Sequence, residues 1–172
     1  MTHSTLAAFA AMPLITLPTL AGDDIALGGP ADQQRLILVY RGLHCPICKT
    51  YLRAWQEHLP ALADENVALY AISGDNRDKA AAFAAEVGLD FPVGYDLNLA
   101  AMRQLGLYVT DPLAHETDRP FPEPALFLVD TAGNAHIVEI ANAPFVRPEP
   151  ALILRGLAVI RTRDYPIRGT LT

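Results

Sequence analysis

Continuous apolar runs alternate along the chain with segments of helical periodicity, and this pattern predicts a domain of the α/β class. The runs "LILVY" at 36–40 and "VALYAIS" at 67–73 are expected to be strands buried on both faces. Between them, six apolar residues recur at helical spacing and would form one face of a helix: Ile47, Tyr51, Leu52, Trp55, Leu59 and Leu62. Pro60 should kink or restart that helix. The strand–helix–strand order favours parallel pairing of the two strands.

Shorter patterns complete a single predicted domain over residues 1–172. Residues 1–12 are rich in Ala and are predicted to form a short helix. The other predicted elements are a hairpin of strands 14–17 and 25–27, a helix from Asp75 or Asn76 to 87, an extended piece at 91–95, a helix at 98–105, a hairpin of strands 125–130 and 136–140, and a last helix at 149–161. Together they predict a central mixed β-sheet flanked by helices, with an added N-terminal β-hairpin.

The composition narrows the classes of protein that the chain can belong to. Hydrophobic residues make up 51% of the chain, enough for a core that needs no disulfide staples. A net charge of −6 with scattered Lys and Arg argues against nucleic-acid binding, and no basic amphipathic face indicates a membrane surface. The stretch "LAAFAAMPLITLPTLAG" follows no Lys or Arg and is interrupted by Pro13 and Pro18, unlike a secretory signal. We therefore expect a soluble, cytoplasmic protein.

The chain has two cysteines, Cys45 and Cys48, which lie between a predicted strand and a predicted helix. Pro46 suits the first turn of a helix, so Cys45 would occupy the N-cap. There the helix dipole and the free backbone N–H groups stabilise a thiolate and lower the thiol pKa below its usual value of about 8.5. Cys48, at i+3, lies on the same side of the helix and could form a disulfide with Cys45. Cys45 should be the more exposed of the two sulfurs.

Three interpretations of this pair compete. A redox pair explains the spacing, the strand-to-helix position and the lack of other cysteines. If the pair were half of a metal site, with His44 as a third ligand, the sequence would show no motif for the further ligands that zinc requires. Two unrelated core cysteines would explain none of these features. The redox pair is therefore favoured, and no metal or organic cofactor is expected.

Nearby polar residues are weaker candidates for the same site. His44 could stabilise the thiolate of Cys45 as a cationic neighbour, or it could be an exposed loop histidine. Arg41 could donate a hydrogen bond to a peroxide or to Cys48, or it could be a surface residue at the end of a strand. Arg119 and Arg147 are less favoured candidates for binding a peroxide, and Trp55 is interpreted as a core residue.

Four segments resemble one known family, the alkyl hydroperoxide reductase/thiol-specific antioxidant branch of the thioredoxin-like superfamily. They are "LILVYRGLHCPICKTYL", "VALYAISGDN", "FPVGYDLN" and "EPALFLVDTAGN", and the resemblance extends from about Met12 to Ile140. It implies a thioredoxin-like fold. Typical peroxiredoxins in this branch carry P-x-x-x-T/S-x-x-C, whose Cys is peroxidatic. In this chain Cys48 falls on that Cys, Cys45 on the Thr/Ser, Arg41 on the Pro, and Pro124 on the family's peroxide-binding Arg.

The same residues resemble a thioredoxin centre, which combines C-x-x-C with a cis-proline at the start of a later strand. Cys45, Cys48 and Pro124 match this pattern, so a cis Glu123–Pro124 bond is predicted. The resemblance implies thiol–disulfide exchange, in which Cys45 attacks and Cys48 resolves the mixed disulfide.

Two alternatives stay open: a thiol peroxidase that reduces hydrogen peroxide or organic hydroperoxides, and a non-catalytic redox-sensing module. The exchange enzyme would take a disulfide substrate and the peroxidase a peroxide. Each would need an external thiol reductant of the thioredoxin or glutathione type. Formation of a homodimer is left open.

Overall fold

The computed structural model describes residues 6–171 and contains a central five-stranded sheet flanked by helices. The strands are β1 (Thr16–Pro18), β2 (Asp24–Ala26), β3 (Gln34–Val39), β4 (Val67–Ile72), β5 (Val93–Gly94), β6 (Val109–Thr110), β7 (Phe121–Pro122), β8 (Ala125–Val129) and β9 (Ala135–Ile140). The helices are α1 (Pro46–Gln56), α2 (Leu59–Asp64), α3 (Arg77–Val87), α4 (Leu99–Gln104) and α5 (Pro150–Arg163).

The central sheet is mixed, as the sequence predicts. Its strand order is β5-β4-β3-β8-β9. The β3–β4 and β4–β5 pairs are parallel, whereas β8 runs antiparallel to both β3 and β9. The predicted hairpin of β1 and β2 is also present, as a separate antiparallel pair. These features confirm the predicted fold class, including the added N-terminal hairpin.

The side chains of β3 alternate between two hydrophobic cores, which explains why its sequence is continuously apolar. Leu36 and Leu38, with Tyr40 directly after the strand, pack on one face with residues of α1, α2, α3 and α5. Ile37 and Val39 pack on the other face with the β1–β2 hairpin and α4. The cysteine pair belongs to the first core, so the fold places it inside the molecule rather than on its rim.

Local signals locate most helix ends correctly. Asn76 and Asn98 cap α3 and α4 by accepting the N–H groups of Lys79 and Ala101. Gly88 ends α3 in the left-handed conformation, with φ of 75°. The helix that Pro60 was expected to interrupt ends at Gln56 and restarts at Leu59 as α2.

The helix predicted for residues 1–12 is wrong over its described part, 6–12, and residues 1–5 lie outside the described residues. Tertiary hydrogen bonds override the helical propensity of the alanines. The N–H of Phe9 bonds Ala135 O at 2.8 Å, and the N–H of Met12 bonds Gly133 O at 2.9 Å. These bonds tie the segment to the β8–β9 turn, and the segment itself turns at residues 8–10 instead of forming a helix.

One pair of short strands was not predicted. β6 and β7 pair antiparallel, and the Pro-containing 111–120 loop connects them. This loop lies beside the site described below. Between residues 6 and 171, no helix combines the length and apolar character that a membrane crossing needs.

Candidate active site

Cys45 occupies the N-cap of α1, where the sequence placed it. Its backbone is extended, with φ of −97° and ψ of 103°, and Pro46 opens the helix behind it. The Sγ atom accepts the N–H of Cys48 at 3.3 Å. The sulfur therefore takes the place of the oxygen that usually caps a helix, next to the positive end of the helix dipole.

Asp75 holds the loop that presents Cys45. Its Oδ2 accepts the N–H of Leu43 at 2.7 Å, and the side chain is buried. Gly42, with φ of +136°, passes so close that an added Cβ would lie 2.8 Å from Asp75 Oδ1. Burial raises the pKa of Asp75. Asp75 therefore supports the loop. Of the two residues from which the sequence predicted that α3 begins, Asn76 is the one that caps the helix.

Both sulfurs are enclosed. Cys45 is 1% exposed and Cys48 is 0% exposed. Cys45 is more exposed than Cys48 by one percentage point, a much smaller difference than the sequence led us to expect. Neither sulfur faces solvent in this structure. Trp55 is fully buried in the same core, as predicted. Any reactant must therefore be small or must displace part of the surrounding chain.

Arg147 is the closest cation to Cys48. It lies in the loop between β9 and α5, and its Nη2 donates to Cys48 Sγ at 2.9 Å. Its Nε donates to Pro144 O at 2.8 Å, and its guanidinium lies 5.0 Å from the ring centre of Tyr51. These contacts fix the guanidinium against the sulfur. The sequence marked Arg147 only as a weak candidate, because nothing in the local pattern links it to Cys48.

Arg41 contacts the pair from the opposite end of the loop. Its backbone N–H points to Cys48 Sγ at 3.5 Å. Its guanidinium forms ion pairs with Glu116 at 3.0 Å and with Glu123 at 3.2 Å, and it lies over the ring of Phe121. The alternative of a surface arginine is excluded, since its side chain is only 13% exposed.

Glu116 and Glu123 are site residues that the sequence analysis missed. Glu123 is buried and also accepts a hydrogen bond from Thr110 Oγ1 at 2.7 Å. Glu116 lies in the 111–120 loop and accepts the N–H of Leu113 with its second oxygen at 2.9 Å. Arg41 therefore connects the cysteine loop to β6, β7 and the 111–120 loop.

The two thiols influence each other's ionisation. The pKa of Cys45 falls to about 6, mainly because the Cys48 thiol donates to it, with further help from the Cys48 N–H, Arg147 and Arg41. Burial and the hydrogen bond to Cys45 raise the pKa of Cys48 well above its ordinary value. These opposite shifts favour ionisation of Cys45 before Cys48, so the first negative charge of the pair belongs on Cys45.

His44 is not the cationic neighbour that one hypothesis required. Its ring packs against Phe121, with 4.6 Å between ring centres. Burial, together with the Arg41 charge, lowers the pKa of His44. The imidazole therefore favours the neutral form at pH 7, and the cations that lower the pKa of Cys45 are the two arginines.

The cis Glu123–Pro124 bond predicted from the thioredoxin pattern is wrong, because this bond is trans. The surrounding backbone is already paired: the N–H of Glu123 bonds Tyr108 O at 2.8 Å, and Pro124 O accepts the N–H of Ala141 at 2.9 Å. An incoming peptide could not take these hydrogen bonds. The role in substrate binding that the cis bond was to support therefore loses its basis. Pro124 instead lines a small cavity beside Tyr51 and Arg147.

Arg119 does not join the site. Its side chain is 38% exposed, and its guanidinium lies 3.8 Å from Asp96 and 3.7 Å from Asp118. Its candidacy for peroxide binding has no structural support, whereas Arg147 and Arg41 both reach the cysteine pair.

The fold is similar to that of several solved peroxiredoxins. A peroxiredoxin-like protein from Aquifex aeolicus aligns with 90% of this chain and 88% of its own, at 17% identity and a TM-score of 0.74. Peroxidoxin BcpB from Mycobacterium tuberculosis aligns with 91% and 97%, at 19% identity and a TM-score of 0.71. A 2-Cys peroxiredoxin from Plasmodium vivax aligns with 92% and 84%, at 15% identity and a TM-score of 0.75.

Sequence comparison agrees with this likeness at the level of the family. No curated protein matches the chain. The model of the AhpC/TSA family matches residues 10–137, which include both cysteines, the strands β3 and β4 on either side of them, β8 and the first half of β9. With a matching family model over most of its length and the thioredoxin-like fold of peroxiredoxins, the chain belongs to the AhpC/TSA family.

Proposed function

We propose that the protein is a thiol peroxidase that reduces hydrogen peroxide or small organic hydroperoxides. The observation that carries the proposal is the enclosed cysteine pair, in which Cys45 Sγ caps α1 and Cys48 Sγ accepts a hydrogen bond from the Arg147 guanidinium. A thiolate is the reactive form of cysteine, and a low pKa keeps it available at neutral pH. A peroxide of a few atoms needs a much smaller opening than a protein disulfide does. Membership of the AhpC/TSA family supports the same choice.

In the proposed first step, the thiolate of Cys45 attacks one peroxide oxygen. The O–O bond breaks, Cys45 becomes a sulfenic acid, and two electrons pass from sulfur to the peroxide. The leaving alkoxide or hydroxide takes the proton of the Cys48 thiol and departs as alcohol or water. The Arg147 guanidinium, 2.9 Å from Cys48 Sγ, then stabilises the thiolate that this proton transfer creates.

In the second step, the thiolate of Cys48 attacks the sulfenic sulfur of Cys45. A disulfide forms, and hydroxide leaves and is protonated to water. The helical i, i+3 spacing and the contact between the thiols support this pairing. Arg41 and Arg147 would also bind the peroxide oxygens and stabilise the charge that develops on the leaving oxygen. The cycle requires no metal or organic cofactor, but it requires an external thiol reductant.

Thiol–disulfide exchange stays the second hypothesis, because a capping Cys45 with a lowered pKa suits that reaction too. The enclosed sulfurs and the trans Glu123–Pro124 bond weigh against a protein disulfide as the oxidising substrate. A redox sensor without turnover is the third. The cytoplasmic location also stays a prediction, and a reducing compartment would supply the reductant.

Peroxide consumption under turnover separates these hypotheses. With dithiothreitol as reductant, the wild-type protein should consume hydrogen peroxide through many cycles, and Cys45→Ser should abolish consumption. A model protein disulfide should be reduced much more slowly than the peroxide. Fast reduction of that disulfide with negligible peroxide consumption would favour exchange, and oxidation that stops after one equivalent would favour the sensor.

A further inference from the structure

Tyr51 contacts both the guanidinium of Arg147 and the segment that carries it. The guanidinium lies 5.0 Å from the centre of the Tyr51 ring, a distance at which a cation is attracted to an aromatic face. Tyr51 Oη donates to Pro148 O at 2.9 Å, directly after Arg147 in the chain. Tyr51 follows Cys48 by three residues on α1, so the two side chains lie on the same side of the helix. One side chain of α1 therefore contacts the arginine that donates to a sulfur of the same helix.

The surroundings of Tyr51 favour this contact. Burial raises the pKa of Tyr51, so the phenol stays protonated at pH 7 and its hydroxyl can donate. The attraction between a cation and a ring is also stronger where water is partly excluded. The small cavity beside Tyr51, Arg147 and Pro148 has a volume of about 10 Å³, close to the least space that one water molecule needs. On this side the guanidinium therefore has little room to leave the ring.

A neutral ring holds Arg147 without offsetting its charge. Among residues 6–171, no carboxylate forms an ion pair with Arg147, whereas Arg41 pairs with two. A carboxylate in the place of the ring would oppose the positive potential of the guanidinium at Cys48 Sγ. The aromatic contact leaves that potential available to the sulfur, which accepts from Arg147 Nη2 at 2.9 Å.

Resting on the proposed function, we propose that Tyr51 is a positioning residue for peroxide reduction, whose ring holds the Arg147 guanidinium against Cys48 Sγ. In the first step the O–O bond breaks, the leaving oxygen takes the proton of the Cys48 thiol, and negative charge appears on that sulfur. Tyr51 itself transfers neither a proton nor an electron. It keeps the guanidinium in place before the charge develops, so that no reorientation is needed during the reaction.

The test measures two quantities on the full chain. Alkylation rates against pH give the pKa of Cys45, and stopped-flow traces give the second-order rate of oxidation by hydrogen peroxide. Tyr51→Leu removes the ring, while Tyr51→Phe keeps the ring and loses only the hydroxyl. Tyr51→Leu should raise the pKa of Cys45, because Arg147 helps to lower it, and should slow oxidation by roughly 2–30-fold. Tyr51→Phe should stay closer to the wild type than Tyr51→Leu in both quantities.

Two comparisons separate positioning from a purely structural role. Tyr165→Leu is the matched control, because it removes another tyrosine ring with an arginine over it, at 5.9 Å, in the segment after α5. It should change neither quantity. In an Arg147→Gln background, Tyr51→Leu should slow oxidation no further, since Tyr51 acts through the guanidinium. Urea denaturation would check that each variant is folded, and Tyr51→Met, which also lacks a ring, replaces Tyr51→Leu if that variant is unfolded.

The opposite results would overturn the inference. An unchanged pKa of Cys45 and an unchanged rate in Tyr51→Leu would show that the ring does not position Arg147. Equal slowing in Tyr51→Phe and Tyr51→Leu would assign the effect to the hydroxyl, and equal slowing with and without the Arg147 guanidinium would show that Tyr51 acts independently of it. A wild type that hydrogen peroxide does not oxidise would end the proposed function, whereas the pKa of Cys45 from alkylation would still test the contact between Tyr51 and Arg147.

Discussion

Arg147 Nη2 lies 2.9 Å from Cys48 Sγ, although the two residues are 99 positions apart in the chain. The family resemblance puts the usual peroxide-binding arginine at Pro124, which carries no charge. The loop between β9 and α5 supplies a guanidinium to the cysteine pair instead. This contact couples the charge of the site to the C-terminal part of the fold.

Removing the Arg147 charge should slow peroxide reduction. Arg147→Gln should raise the pKa of Cys45, because Arg147 helps to lower it. Loss of a charged hydrogen bond worth about 1.5–3 kcal/mol corresponds to a decrease of roughly 10–150-fold in the rate of oxidation by hydrogen peroxide. Alkylation rates against pH and stopped-flow oxidation would measure the two effects. Arg155→Gln, on α5, is the control and should change neither; an unchanged Arg147→Gln would rule out the role assigned to Arg147.

The pH dependence of oxidation should follow the ionisation of Cys45. Its pKa of about 6 means that the reactive thiolate is lost as the pH falls through that value. The second-order rate with hydrogen peroxide should therefore be small near pH 5, rise through pH 6 and level off above pH 7. Stopped-flow traces of Trp55 fluorescence, from the chain's one tryptophan, would report the rate. A rate that rises only above pH 8 would contradict the lowered pKa.

Much of the fold follows from local sequence signals. The apolar runs of β3 and β4 and the N-terminal position of Pro46 predict the strand–helix–strand unit, and Cys45 caps α1 as expected. These features depend on residues that are close in sequence. They locate the cysteine pair before any tertiary contact is known.

The rest of the site depends on contacts that no local pattern encodes. Arg147 reaches Cys48, and Glu116 and Glu123 reach Arg41, from connecting segments far along the chain. Whether the Glu123–Pro124 peptide bond is cis or trans depends on tertiary contacts. In the structure it is trans, and the Glu123 N–H already donates a hydrogen bond to Tyr108 O. The sequence shows that Pro124 precedes a strand, but it does not show which partners that strand already has.

The close approach of Gly42 to Asp75 should be essential for stability. Gly42→Ala would place a Cβ 2.8 Å from Asp75 Oδ1 in a backbone with φ of +136°, which favours glycine. We expect a loss of about 1–3 kcal/mol in the free energy of unfolding. Urea denaturation would measure it. Gly156→Ala is the matched control, because Gly156 lies within α5 with no atom within 4 Å of an added Cβ, and it should stabilise by up to about 1 kcal/mol.

The buried carboxylate of Glu123 should contribute more to the free energy of unfolding than an exposed carboxylate does. Glu123→Ala leaves Thr110 without its partner and Arg41 with Glu116 alone, so the cost should lie below the about 3–5 kcal/mol of a fully broken buried pair but above about 1 kcal/mol. Glu86→Ala removes the 55% exposed partner of Lys49 and should cost less than about 1 kcal/mol. Urea denaturation of both variants tests the difference. Similar losses would mean that Arg41 does not depend on Glu123 for its position.

The central claim is that Cys45 is the thiolate that attacks the peroxide. Its most direct test is to treat Cys48→Ser and Cys45→Ser with one equivalent of hydrogen peroxide in the presence of dimedone, which traps sulfenic acids. Mass spectrometry of the peptides then identifies the labelled cysteine. The account predicts rapid labelling of Cys45 in Cys48→Ser at pH 7 and little labelling of Cys48 in Cys45→Ser. Faster labelling of Cys48 would contradict it and would assign the attack to the position that is peroxidatic in typical peroxiredoxins.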